Sequence, residues 1–425
     1  MAAITTLTPK LIAAFGKNWD DFPTQADFTD ISDYLMSWSW SDGARREFDT
    51  VRAGTARFVL RNDDRRFEPD YSSGAHYPDI QIGLPIGFCL EVDDDVINGR
   101  PRRIADFMGY AEAWTVQYPG KDAHAVTVLE VADPLALLSR IMMSGSLFTA
   151  QGASYHIGSH CLNDAGYYKA GWIDVDYDTT WLQIHTPSDE TSCLSTLELI
   201  ARSAAGRISC HGHFYNVGAA LGAYGTVTYH NRHYTSTLGA GDGQTFGDSG
   251  TEIKYTGIDL ASDRYGIVNE CRVTRVGGTE QTAANVTSQS KFGEETLLLP
   301  GLLMSTDNVA MDRARHEVQE SRSTPDLTCR SVTTTVQLGD DFTNHVVALD
   351  TAAAIGYPNI VRRRPAGGDL TGRKVTTIGR YWKQPKPKAP VECTLYFEPR
   401  GASGMMWILG DATYGVLGET TQLGW

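Results

Sequence analysis

The strongest constraint on the fold is a series of short strand-like segments that occurs twice in the same order. Ile82-Gly83-Leu84-Pro85-Ile86 precedes Phe107-Met108-Gly109-Tyr110-Ala111-Glu112-Ala113-Trp114, then the turn Tyr118-Pro119-Gly120-Lys121, then the apolar run 126–131. Far along the chain, Ile355-Gly356-Tyr357-Pro358-Asn359-Ile360-Val361 precedes Ile378-Gly379-Arg380-Tyr381-Trp382, then Pro385-Lys386-Pro387-Lys388, then Val391-Glu392-Cys393-Thr394-Leu395-Tyr396-Phe397. A strand at 331–338 leads into this second set. Recurrence of a whole order of segments reads as duplication of one β-barrel unit, with turn chemistry arrived at twice as the alternative reading.

Most of the remaining sequence is also β in character, because short apolar segments alternate with Gly, Pro, Asn and Asp. Met36, Trp38 and Trp40 alternate with serines, and Ala56, Phe58 and Leu60 alternate with Arg57 and Arg61, so each set lines one face of a half-wet strand. Residues 62–69 and Asp93-Asp94-Asp95 read as turns, since Asn and Asp bond their own backbone. Helical spacing of Leu194, Leu197, Ile200, Ala201 and Ala204 predicts a helix stopped by Gly206. A second helix is predicted after Ser305 or Thr306, with Ala310, Ala314 and Val318 on one face, ending before Pro325.

The fold class expected is therefore mainly β with an α+β middle region: two related β-barrel domains flanking a middle helix-containing region. At about 150 residues per domain, 425 residues suggest two to four packed units. The expected division is an N-terminal barrel at 1–140, an insertion at 141–190, the α+β region at 191–324 and a second barrel with a tail at 325–425. Residues 141–190 and 239–250 read as surface loops.

A formal charge of −14 disfavours stable nucleic-acid binding, which draws its affinity mainly from Lys and Arg. Arg362-Arg363-Arg364 reads as a solvated strand end. The N-terminus has no basic segment or continuous apolar stretch, and no run approaches the ~18 apolar residues of a membrane span, so a soluble chain made in a cytoplasm is expected. The 7 cysteines are spread singly, without a CxxC pair, and are expected to be reduced and mostly buried.

Cys210-His211-Gly212-His213, with His160-Cys161 as a distant second half, offers ligand types that suit zinc. On a strand, however, Cys210 faces away from His211 and His213, and the spacing fits no zinc pattern, so a partly exposed strand end is the plainer reading. Asp93 to Asp95 and the Asp242/Asp248 loop lack a calcium-loop pattern and read as solvated turns. No nucleophile elbow, HExxH helix or phosphate-binding loop occurs. The expectation is no catalytic residue, no cofactor and no metal ligand.

Several segments together resemble the minor tail proteins of actinobacterial siphophages. They are 30–35, 51–62, Arg66-Phe67-Glu68-Pro69, Gly83-Leu84-Pro85-Ile86, Phe107-Met108-Gly109, 196–206, 225–232, 267–273, Ser290-Lys291-Phe292-Gly293 and the ending Trp407-Ile408-Leu409-Gly410-Asp411 to Trp425. The layout is also similar to baseplate hub proteins and to the N-terminal module of tail-associated lysins. The resemblance implies a virion structural protein rather than an enzyme: a homotrimeric tail-tip hub whose paired barrels form a pseudo-sixfold ring. It implies contacts with the distal tail protein, the tape-measure end and receptor-binding or fibre proteins, with DNA passing through the lumen. A hexameric distal tail protein is the alternative within the virion. A carbohydrate-binding or carbohydrate-acting protein is the alternative outside it, suggested by 9 Trp and 19 Tyr, although aromatics on strands are more simply packing residues.

Overall fold

A computed structural model describes residues 7–19, 21, 23–45, 52–97, 100–118, 120, 124–143, 152–163, 165–166, 172–176, 180–188, 190–217, 220–231, 243–247, 252–262, 264, 266–320, 327–336, 342–363 and 371–399. Strands make up 49% and helices 19%, so the protein is mainly β.

The first unit contains β1 (Leu7–Ala13), the short β2 (Thr29–Asp30), β3 (Leu35–Gly43), β4 (Thr55–Arg61), β5 (Pro85–Ile97), β6 (Arg100–Gln117) and β7 (Val126–Ala132). Its six main strands are ordered β3-β4-β7-β6-β5-β1. The alternation read in the sequence is the reason: Trp38, Trp40, Ala56, Phe58 and Leu60 are buried, whereas Arg57 and Arg61 point to solvent. Asp93 to Asp95 lie inside β5 and not in a turn, where the β5–β6 register shifts between Val92 and Val96. A bulge accommodates the acids within the strand.

The middle region begins with β8 (Trp172–Val175), then β9 (Arg207–Val217) and β10 (Ala220–His230), which form a separate three-stranded sheet. The helix Cys193–Ala204 packs on it, capped by Ser192, whose hydroxyl accepts from Ser195 N at 3.1 Å. Ala205, at φ 58, takes the left-handed position at its end instead of Gly206. Gly206 is needed for another reason: a Cβ there would overlap the Tyr229 ring. The described part of 141–190 is no surface loop. Met143, Ile157, Cys161, Leu162 and Leu182 belong to the same buried cluster as Leu197 and Ile200.

After the middle region come β11 (Gln244–Phe246) and β12 (Gly257–Ala261). Phe246 is fully buried, so this part of the supposed 239–250 loop is a core strand; Asp242 and Asp248 lie outside the described residues. A small sheet of β13 (Glu270–Arg275), β14 (Gln281–Ala284) and β15 (Thr296–Leu302) follows. It is covered by the helix Asp307–Glu320, whose Ala310 and Ala314 are fully buried as their spacing predicts.

The second unit is completed by β16 (Thr328–Val336), β17 (Pro358–Arg363), β18 (Thr371–Gln384) and β19 (Val391–Pro399), with the helix Phe342–Ala353 between β16 and β17. Its strands are ordered β12-β16-β19-β18-β17-β11, which repeats the first unit position for position.

The hydrogen bonds repeat as well. Gly83 N donates to Ala111 O at 2.7 Å and Ala111 N to Leu84 O at 2.9 Å; Gly356 N donates to Thr377 O at 2.7 Å and Thr377 N to Tyr357 O at 3.0 Å. Both glycines have positive φ, 82° and 85°, and a proline opens the next strand in each unit. The register also shifts at matching places, between Ala111 and Ala113 and between Thr377 and Gly379. This pairing corrects the alignment read from the sequence: Gly379 occupies the position of Ala113, not of Gly109. The first unit differs in that β1 runs antiparallel to β5, whereas β11 runs parallel to β17.

Among the described residues no strand pair closes either unit into a barrel. The units join instead through β3 and β18 into one 13-stranded sheet. One buried cluster spans both, from Leu11, Trp38 and Phe88 to Trp382, Leu395 and Phe397.

Candidate assembly interface

β18 is long enough to serve two neighbours. Residues 371–376 pair with β17, whereas 379–384 pair with β3. One face of the β3–β18 seam is buried, and the seam is sterically tight. Trp40 and Trp382 sit directly opposite, with ring centroids 6.4 Å apart, and Trp38 Nε1 donates to Gln384 Oε1 at 3.0 Å. Aromatic pairs of this kind contribute about 0.5–1.5 kcal/mol beyond their buried area.

One ion pair stands inside the seam. Arg380 Nε donates to Asp42 Oδ1 and Nη2 to Asp42 Oδ2, each at 2.9 Å, with the two side chains only 7% and 6% exposed. The guanidinium also lies 4.9 Å over the Trp40 ring. Burial opposes its charge, but the Asp42 carboxylate outweighs that and keeps its pKa above the ordinary arginine value. Arg380 Nη2 is 3.3 Å from His211 Nδ1. Since arginine can only donate, His211 accepts and is neutral; burial and the nearby guanidinium push its pKa well below the usual histidine value. β9 therefore braces the seam from the middle region.

The candidate metal residues do not converge. Cys210 points into the middle cluster, and burial raises its thiol pKa well above normal. His211 faces Arg380, while His213 stacks on Tyr224 at 5.3 Å. Cys161 is buried beside Cys193, whose Sγ donates to Cys161 O at 3.3 Å; the His160 side chain lies outside the described residues. All seven cysteines are buried and unbridged. Among the described residues no three His, Cys, Asp or Glu side chains gather as a metal-binding group, and no helix is long and apolar enough to cross a membrane. Arg362 pairs with Glu252 at 2.9 Å at the end of β17, and Arg364 lies outside the described residues.

The sequence did not single out two buried acids flanking the seam. Burial raises the pKa of Asp106 to about 8, helped by the Asp350 carboxylate, and that of Asp133 to about 7. A carboxyl whose pKa is raised in the folded state binds its proton more tightly there than when unfolded. Its favourable contribution is complete below its unfolded pKa and is lost as pH rises through about 7 to 8. The melting temperature should therefore fall from about pH 4 to about pH 8 and level off above, and Asp106→Asn should flatten that fall. Thermal melts across this range check it; an unchanged slope in the variant would remove Asp106 as the cause.

No protein-family model matches the chain, and no curated protein matches it in sequence. Solved structures do match it in fold. The 43 kDa tail protein of prophage MuSo2 from Shewanella oneidensis superposes with a TM-score of 0.56 at 12% identity, covering 92% of this chain and 98% of that one. The tail protein from Neisseria meningitidis MC58 gives 0.57 at 10% identity, covering 92% and 96%. A chain of the Francisella PdpA–VgrG complex gives 0.50 at 7% identity; it covers 93% of this chain but only 58% of that one. The protein thus has the fold of phage tail proteins over nearly its whole length.

Proposed function

We propose that this chain is a structural hub at the tail tip of a siphophage, without catalytic activity. Three copies, each contributing two matching units, form a pseudo-sixfold ring that caps or continues the tail tube. The observation that carries this reading is the duplicated order of six main strands in one chain, joined edge to edge through β3 and β18. A chain with two equivalent units in tandem can meet a sixfold tube on one side and a threefold tip on the other. The fold likeness to two tail proteins supports a tail location, and the sequence resemblance to actinobacterial minor tail proteins supports the siphophage setting. In this reading the distal tail protein, the tape-measure end and receptor-binding or fibre proteins are its neighbours. DNA passes through a lumen for which a charge of −14 suits a wall that must not retain it.

Single-particle imaging of the purified or virion-bound assembly tests this. Threefold particles with six similar units are expected. A true sixfold ring with one unit per position would move the assignment to a distal tail protein, and a lone monomer within intact virions would refute the ring. The protein should also release no soluble fragments from host cell wall; turnover there would end the non-enzymatic reading.

A further inference from the structure

The two units are alike in their strands but not in what covers them, and the difference falls on one edge. In the second unit, residues 379–384 of β18 are covered by β3. Matching the two β-bulges places Ala113 at Gly379, Val116 at Trp382, Gln117 at Lys383 and Tyr118 at Gln384. No strand covers this half of β6 among the described residues; it pairs only with β7.

Exposure follows the same division. Ile355 is 2% exposed and reaches to within 2.9 Å of where a Cβ on Gly43 would sit, so β3 buries it. Its counterpart Ile82 is 69% exposed. Trp382 and Gln384 are 0% and 9% exposed, whereas their counterparts Val116 and Tyr118 are half-buried and 60% exposed.

The strand that would cover this edge also exists in the chain, at the far end of the sheet. β12 is the second unit's counterpart of β3: Ile258 lies opposite Val332 as Trp38 lies opposite Phe58. Among the described residues β12 pairs only with β16, and its outer edge is the end of the sheet. Natural edges are usually blocked by Lys, Pro or inward charges. Neither Gly257–Ala261 nor Ala113–Gln117 contains Lys or Pro, and Ile258 and Leu260 are half-buried against the core. Six strands separate β12 from β6 within the sheet, so the open pair belongs to different copies.

We propose that β12 of one copy pairs antiparallel with the 114–118 half of β6 of a second copy, repeating between chains the β3–β18 seam found within one. The register carries over: Gln117 opposite Asp259, Val116 opposite Leu260 and Thr115 opposite Ala261. The contact is head-to-tail, so it propagates until the ring closes. Only the number of copies rests on the hub reading; the edges and the register rest on the repeated seam.

The test uses single cysteine variants, the native thiols being buried. Gln117→Cys chains are mixed with Asp259→Cys chains, oxidised mildly and resolved under non-reducing denaturing conditions. Directly opposed residues lie about 4.5–5.5 Å apart between Cα atoms, within disulfide reach. A covalent dimer is expected in the mixture and in neither variant alone. It should form at least about fivefold more than with the off-register pair Thr115→Cys and Gly257→Cys, which the register separates by about 13 Å. Mass photometry on the same samples separates the two claims. Ring-sized particles without the on-register link would overturn the strand pairing and leave the hub reading standing. A chain that stays monomeric at every concentration reached would overturn both.

Discussion

Gly43→Ala is expected to destabilise the protein by about 3–5 kcal/mol, a loss at the large end for single substitutions, and to lower its melting temperature by roughly 3–6 °C. Gly43 has φ 74°, where an L side chain is strained by about 1–2 kcal/mol. Added to that is a direct overlap. A Cβ there would sit 2.7 Å from the Gly379 Cα and inside the Ile378 carbonyl oxygen, both part of the opposing backbone. Backbone cannot rotate away as a side-chain tip can, so relief requires opening the β3–β18 seam. Gly372→Ala is the matched control: it lies on the same long strand, has no positive φ, and a Cβ would meet its nearest atom at an ordinary 3.6 Å. Thermal melts of the two variants should differ clearly. Equal melting points would mean that the seam tolerates separation and does not hold the units together.

The second large effect is expected at the buried ion pair. Arg380→Met removes the counter-charge from Asp42 and leaves a carboxylate in a site where both side chains are under a tenth exposed. Breaking such a pair from one side costs about 3–5 kcal/mol, because desolvation of the remaining charge is no longer offset. The double variant Arg380→Met with Asp42→Leu should recover most of the loss, since replacing both charges by apolar groups is often neutral. Denaturant melts of the two single variants and the double variant measure this coupling. Additive losses would show that the two groups act separately, contrary to their bidentate geometry.

The two predictions concern neighbouring residues on one seam, and their origin differs in the sequence. Gly379 is visible as part of a repeated segment, which the sequence sets beside Gly109. The backbone places it at Ala113, since the bulges after Ala111 and Thr377 set the register. Asp42 and Arg380 are 338 positions apart, so no local pattern could have linked them. The helix Cys193–Ala204 was read correctly from spacing, but its end was assigned to Gly206, where the ring of Tyr229 imposes the glycine. Asp93 to Asp95 and residues 244–246 were assigned to turn or loop from composition, which carries no information about a distant partner strand. The closing segment Trp407 to Trp425, part of the resemblance, lies outside the described residues.

By itself the sequence determined the period-two strands, the helices Cys193–Ala204 and Asp307–Glu320 but not Phe342–Ala353, the burial of the cysteines and the existence of two similar units. These follow from alternation, capping and turn chemistry, which act over a few residues. Only the tertiary structure decided that the units share a single sheet rather than close separately among the described residues, and which half of β6 and which edge of β12 no described strand covers. Strand pairing depends on which edges meet in space. Edges carry the same backbone donors and acceptors whatever their side chains, so their pairing is settled by register, bulges and close glycine contacts that arise only when the whole chain is folded.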